Sequence, residues 1–296
     1  MLILTAVVIV VSVWLVLKWR PKANIYKDKT ALVIGGSSGL GLALAKDLRR
    51  RGAVVAVTSR TKATLTKLKR SEGLAGVLVD VTDDESVSRL PTEYDLVFCC
   101  PGFALPGLAK DLSLDMVQRC METNFYGCVR VVLHYLKAAS LQKRTRLVLV
   151  SSTLGLHSFI GYGAYSPSKA ALRSFYESVH LEAAQEGLDL SIYYCSTIKS
   201  PGFAKEELTK PAITKVIEGS SLGSSAEPAN RAKVLLDSLP SQHVIFSDLV
   251  TQLFSQATDI TSLSDYFVWR IAPIFWFIFT SLVKYRVNRY YKQHSN

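Results

Sequence analysis

From about residue 29 to residue 200 the chain switches repeatedly between two hydrophobic periods. Short β-rich runs fall at 30–34, 53–58, 76–79, 95–100, 146–150 and 190–194. Between them, apolar residues recur at the three-and-four spacing of amphipathic helices, over 39–51, 61–69, 114–139 and 166–186. Strands separated by helices predict βαβ units, because a parallel partner strand needs a crossover that packs back on the sheet. The expected fold class is therefore α/β, a Rossmann-type doubly wound parallel sheet with helices on both faces. Ligands of such a sheet bind outside the carboxyl ends of its strands. Residues 219–228 are rich in Ser and Gly and read as a loop.

The two ends break this alternation. Residues 2–17 carry no charge. A helix from Met1 to Trp19 would be about 28 Å long, close to the bilayer core of about 30 Å. Trp14 and Trp19 suit the headgroup boundary, and Lys18 can snorkel there. The basic residues follow the apolar run, which favours an uncleaved anchor over a signal peptide. Lys18, Arg20, Lys22, Lys27 and Lys29 then hold the body on the cytoplasmic side. At the other end, 271–283 is apolar and aromatic but short for a span. With Trp269, Trp276, Lys284, Arg286, Arg289 and Lys292 around it, it reads as re-entrant or interfacial, with a core helix as the alternative. The expected organisation is an anchor over 1–22, an α/β domain over 26–250 and a membrane-associated segment over 251–296.

Composition supports that division. The 296 residues suffice for one domain with extra segments. A mean hydropathy of +0.21, with 49% hydrophobic residues, exceeds what a soluble enzyme usually shows. The formal charge of +11 would suit nucleic acid, but much of it flanks the apolar runs. Membrane lipid is therefore the expected partner and nucleic acid is not. Five cysteines at no zinc spacing predict no metal, and small buried thiols in a reducing compartment.

Candidate chemistry gathers at the strand ends. The first strand runs into Gly35-Gly36-Ser37-Ser38-Gly39-Leu40-Gly41. Glycines let backbone approach a pyrophosphate, and the following helix offers free N–H groups and a positive dipole end. The second strand ends at Arg60, where an NAD-selective site usually places a carboxylate. A guanidinium there, with the Ser37 and Ser38 hydroxyls, suits the 2′-phosphate of NADPH. Asp80 follows the third strand and is read either as an adenine neighbour or as a turn or cap aspartate. The fifth strand ends in Ser151-Ser152, and thirteen residues beyond Ser152 is Tyr165. Tyr165 and Lys169 share one helix face. Carbonyl reduction needs a proton donor beside the hydride acceptor, and an ammonium within reach would lower the phenol's pKa.

On Gly35, Gly39, Gly41, Asp80, Asn124 in Met-Glu-Thr-Asn-Phe-Tyr-Gly, Ser152, Tyr165 and Lys169, the chain resembles the short-chain dehydrogenase/reductase family over about 29–248. The resemblance implies that Ser152, rather than Ser151, is catalytic. It implies that Lys169 bonds the nicotinamide ribose, and that Asn124 kinks its helix and holds a relay water. It also implies Ile198 and Ser200 as nicotinamide contacts, and a homodimer or homotetramer. Three departures stand out: Ile34 before the first glycine, Cys99-Cys100-Pro101-Gly102 after the fourth strand, and 195–200 after the sixth. A lid expected over 200–225 closely resembles that of the family's fungal and animal members that reduce long-chain 3-keto sphingoid bases at the endoplasmic reticulum membrane. A membrane reductase for a steroid, retinoid or other lipid ketone is the alternative; a non-catalytic dinucleotide-binding scaffold is a second.

Overall fold

The computed structural model describes residues 24–219 and 225–255, together with helical residues between 273 and 289. The anchor expected over 1–22 and much of the segment expected over 251–296 lie outside the described residues. No helix among the described residues is long and apolar enough to cross a membrane.

Seven parallel strands form one sheet in the order β3-β2-β1-β4-β5-β6-β7. They are β1 (Thr30–Ile34), β2 (Val54–Ser59), β3 (Ala75–Leu78), β4 (Leu96–Cys99), β5 (Thr145–Ser152), β6 (Leu188–Cys195) and β7 (Val244–Phe246). The order reverses between β1 and β4, which pair from Ala31↔Leu96 to Ile34↔Cys99. That switch point opens a crevice at the carboxyl ends.

The central strands are apolar without interruption because both faces are covered. Along β1, Ala31 and Val33 enter one core while Leu32 and Ile34 enter the other. β5 divides likewise, with Val148 and Val150 on one side and Leu147 and Leu149 on the other. The first face is closed by α1 (Gly39–Arg50), through Leu40, Leu44 and Leu48. α2 (Lys62–Glu72) adds Leu68 to the same side. The second carries α3 (Asp84–Ser88), α4 (Leu114–Met121), α5 (Gly127–Lys137) and α6 (Tyr165–Gln185). Truncating a fully buried Leu32 or Leu147 to Ala would cost about 2–5 kcal/mol, since neither layer can collapse onto the gap.

Five features depart from the expected elements. Residues 114–139 are not one regular helix: a π-helical turn at Glu122–Tyr126 separates α4 from α5. Two short helices fill most of the expected lid, α7 (Pro201–Thr209) and α8 (Ala212–Glu218). Pro228 opens α9 (Pro228–Ser238), whose Ala232, Leu235 and Leu236 complete the first core. β7 is a seventh strand of three residues, too short for a period to register. Finally, α10 (Leu249–Phe254) straddles the boundary expected at 250, and its Phe254 is buried.

Candidate active site

A cleft of about 1030 Å³ runs along the carboxyl edge from the β1 turn to the lid. At its nucleotide end the glycines are sterically required. Gly35 has φ +74°, and a Cβ there would lie 3.2 Å from the Cys100 and Pro101 backbone. A Cβ on Gly41 would stand 2.4 Å from the Gly35 carbonyl oxygen, so α1 starts hard against the turn. Gly36, not singled out from sequence, packs as tightly on Val57 at 2.8 Å. Gly39, at φ +54°, faces the Ser200 Cβ at 3.2 Å, which brings the lid to the turn. The turn is fixed by the Gly35 N–H, which donates to Thr58 Oγ1 at 3.1 Å. Ser38 is the N-cap residue of α1 but makes no side-chain cap bond, leaving first-turn N–H groups open to an anion.

Ser37, Ser38, Arg60 and Asp80 line the same end of the cleft. Asp80 is a turn aspartate: its Oδ1 accepts from the Thr82 N–H at 3.0 Å and hydroxyl at 2.7 Å. The neighbouring helix cap is Asp83. Burial raises the Asp80 carboxyl, but the Thr82 bonds and the nearby Arg60 charge outweigh it and hold the group below its ordinary range. The backbone cradle, the uncapped helix start and the exposed Arg60 fit a dinucleotide phosphorylated on its adenosine ribose.

At the other end, β5 and α6 bring Ser152, Tyr165 and Lys169 together. Successive strand residues point to opposite faces, and this separates the two serines. Ser151 Oγ donates to the Lys169 carbonyl at 3.2 Å and is consumed in packing. Ser152 Oγ accepts from the Leu154 N–H at 3.1 Å and lies near enough to Tyr165 to draw its phenol down. Lys169 is 3% exposed, with Nζ donating to the Val150 carbonyl at 3.0 Å and 6.0 Å from the Tyr165 ring centre. Burial pushes the lysine below its ordinary value.

The expected lowering of the phenol by this ammonium is not what the geometry gives. Burial pushes Tyr165 above its ordinary value; Ser152 draws it down, and the Glu206 charge raises it again. Burial of the phenol dominates, and Nζ is directed to a backbone carbonyl.

Asn124 sits in the π-helical turn and is fully buried. Its Oδ1 accepts from the Phe103 N–H at 3.0 Å, and its Nδ2 donates to the Phe103 carbonyl and to Ser168 Oγ. The residue thus clamps the loop after β4 to α6. In that loop Gly102 packs closely on both residues: a Cβ there would lie 3.1 Å from Lys169 Nζ and 3.3 Å from Asn124 Oδ1.

After β6, Ile198 pairs with Ala226 as an isolated bridge and lines the cleft. Ser200 caps α7, its Oγ accepting from the Phe203 N–H at 3.1 Å, so part of the hydroxyl's capacity is committed to the lid. Asp248, also missed from sequence, braces this side. Its carboxylate accepts from Ser196, Ser247 and the Thr251 N–H, and pairs with Arg231 at 2.8 Å.

The lid has a polar centre that sequence reasoning did not identify. The Lys210 side chain is wholly buried and pairs with Glu206 at 3.1 Å, Glu218 at 2.6 Å and Glu207. Tyr162, 2% exposed, donates its hydroxyl between Glu206 and Glu218 at 2.5 and 2.6 Å. Beside the lid, Phe254 packs with His157, Phe159 and Phe279 at ring separations of 4.9–6.2 Å. Phe159 and Phe254 line the cleft mouth. Arg286 donates to the carbonyls of Val216, Ile217 and Gly219 at the end of α8.

A glycine turn on the first strand and a Ser-Tyr-Lys group on the fifth strand and next helix define a dinucleotide-dependent oxidoreductase. The model of the short chain dehydrogenase family matches residues 29–211, and the chain belongs to that family. It is 35% identical over 226 residues to a Schizosaccharomyces pombe PIGF/3-ketodihydrosphingosine reductase fusion protein, covering 71% of this chain but 46% of that one. It therefore spans less than half the length of the fusion protein. A Bos taurus 3-ketodihydrosphingosine reductase is 30% identical over 233 residues, covering 73% of this chain and 70% of that one. A Burkholderia cenocepacia short chain dehydrogenase solved with NADP shares the fold, at TM-score 0.65 and 18% identity over 78% of this chain and 93% of that one.

Proposed function

We propose that the protein reduces 3-ketodihydrosphingosine to dihydrosphingosine with NADPH. The observation that carries this is one continuous cleft joining the Gly35–Gly41 cradle, the Ser152–Tyr165–Lys169 group and an acidic lid. The names of the relatives support the substrate. NADPH supplies the hydride when bound. Gly35, Ser37, Ser38, Gly39, Gly41, Arg60 and Asp80 hold its adenosine and phosphate end, and Ile198 and Ser200 meet the nicotinamide side. Ser152 holds the substrate oxygen and Tyr165 gives it the proton. Lys169 orients the ribose through its ammonium. A water held by Asn124 would link Lys169 to solvent and return the proton to Tyr165.

In the same reading, the protein sits on the endoplasmic reticulum membrane with its catalytic domain facing the cytoplasm. The uncharged run over 2–17 supports this. So do Ile274, Phe277, Ile278, Leu282 and Tyr285, which are 47–74% exposed near the cleft-lining aromatic group. A substrate with a long chain would then pass from lipid to cleft without full transfer to water. The test is NADPH oxidation by the purified protein in detergent micelles. The 3-keto sphingoid base should be turned over well above steroid and retinoid ketones. Preferential turnover of a steroid or retinoid would refute the assignment.

A further inference from the structure

An ammonium-accepting centre lies beside the proton donor, on the lid wall. Phe203, Glu206 and Glu218 line the cleft, whereas Lys210 is buried behind them. Three carboxylates meet one lysine there, and the single Tyr162 hydroxyl hydrogen is divided between two of them. The group therefore carries a formal excess of two negative charges. The centre already holds a primary ammonium: Lys210 Nζ sits 4.8 Å from the Phe203 ring centre and 5.8 Å from that of Tyr162. Carboxylates with aromatic faces are the surroundings in which a partly desolvated ammonium is stabilised. The centre is also near the reacting carbonyl. Tyr162 and Tyr165 are 6.1 Å apart between ring centres, and the Glu206 charge acts on the Tyr165 phenol. The other cleft-lining cations do not neutralise it: Arg60 lies at the nucleotide end, Arg119 pairs with Asp115, Lys169 donates to the Val150 carbonyl and Lys205 is exposed, and none forms an ion pair with Glu206 or Glu218 among the described residues.

We infer that Glu206, backed by Glu218 and Tyr162, recognises the ammonium on the carbon next to the ketone, making the enzyme selective for α-amino ketones over neutral ketones of equal length. This rests on the substrate proposed above. It gives the carboxylates a role that a neutral steroid or retinoid ketone would leave unused. Lys210 holds the carboxylates in place from the buried side, and the substrate cation completes the charge balance from the cleft side.

The test compares kcat/KM for a long-chain 2-amino-3-ketone with that for its N-acetyl and 2-deamino counterparts. The full chain is used, in micelles. Wild type is expected to favour the free amine by at least tenfold. Glu206→Gln should reduce that ratio to within about threefold of unity. Glu207→Gln should leave the ratio as in wild type, because Glu207 pairs with Lys210 but does not line the cleft. Equal kcat/KM for amino and neutral ketones in wild type would overturn the inference while leaving ketone reduction standing. An equal change of the ratio in Glu206→Gln and Glu207→Gln would overturn it too, since lid disruption would then be the cause. No turnover of either ketone would remove the substrate assignment and this inference with it. The wild-type comparison stands even if Glu206→Gln does not fold.

Discussion

Lys169→Met separates the site's chemistry from its stability. The lysine is 3% exposed, and among the described residues its ammonium has one hydrogen-bonded partner, the Val150 carbonyl. Taking an ammonium out of water costs several kcal/mol, and a nearly isosteric thioether removes that cost. Against this, the Val150 carbonyl loses its charged donor, worth about 1–3 kcal/mol. The balance leaves Lys169→Met within about 2 kcal/mol of wild type, on the stable side. Its turnover should fall by about 10²–10⁴, or roughly 3–5 kcal/mol of barrier, because the ribose loses its donor and the proton relay its link. The pH dependence has a definite sign. The folded-state pKa of Lys169 is lowered, so the unfolded chain holds the proton more tightly. Wild type then gains stability as pH rises through the interval below 10.5, and the variant does not, so the gap between them narrows toward that pH. Urea unfolding at several pH values, together with NADPH-oxidation rates, measures both. A variant within tenfold of wild-type turnover would refute the catalytic role. A loss of more than about 3 kcal/mol at neutral pH would refute the ledger.

Three further outcomes are expected. Tyr165→Phe should lower turnover by about 10²–10⁴ with NADPH affinity nearly unchanged, checked by cofactor fluorescence beside the rate; turnover within tenfold of wild type would remove it as proton donor. Arg60→Ala should weaken NADPH by about fivefold, on the order of 1 kcal/mol after solvent screening at this exposed site, and leave NADH nearly unaffected. Equal losses by titration would deny the 2′-phosphate contact. Gly41→Ala forces a Cβ to 2.4 Å from the Gly35 oxygen. The overpacking cost of about 1–3 kcal/mol exceeds the gain in helix propensity, so thermal unfolding should come several degrees lower and the NADPH KM should rise. An unshifted melting curve would show that the turn yields.

What could be read from the chain was local. Apolar β1 and the glycines after it stand within twelve residues of one another, and the steric demand on Gly35 and Gly41 comes from backbone close by in sequence or on the paired strand. Tyr165 and Lys169 are one helical turn apart, so their shared face was legible before any fold was known. The choice between Ser151 and Ser152 was open in the residues alone, because strand alternation gives two faces and not which one meets the cleft. The contacts favour Ser152: Ser151 is spent on the Lys169 carbonyl, while Ser152 lies near enough to Tyr165 to act on its phenol. The same limit explains Lys169 itself. Its spacing from Tyr165 suggested an ammonium acting directly on the phenol, but the Val150 carbonyl, 19 positions earlier, takes that ammonium.

The lid was least legible, for a physical reason. Glu206, Glu207 and Lys210 occupy a segment that reads as an ordinary solvated helix face, since three-and-four charge spacing is common on surfaces. Their arrangement depends on Tyr162, 44 positions before Glu206 and 56 before Glu218, whose hydroxyl enters between those two carboxylates from the loop preceding α6. That loop runs directly into Tyr165. The segment that presents the proton donor therefore also carries the hydroxyl that orders the acidic lid wall, so displacement of the lid disturbs both at once. If the lid accepts the substrate's ammonium as inferred, its charge would reach Tyr165 through the same short stretch of backbone, and the ammonium beside the ketone would bear on catalysis as well as on binding.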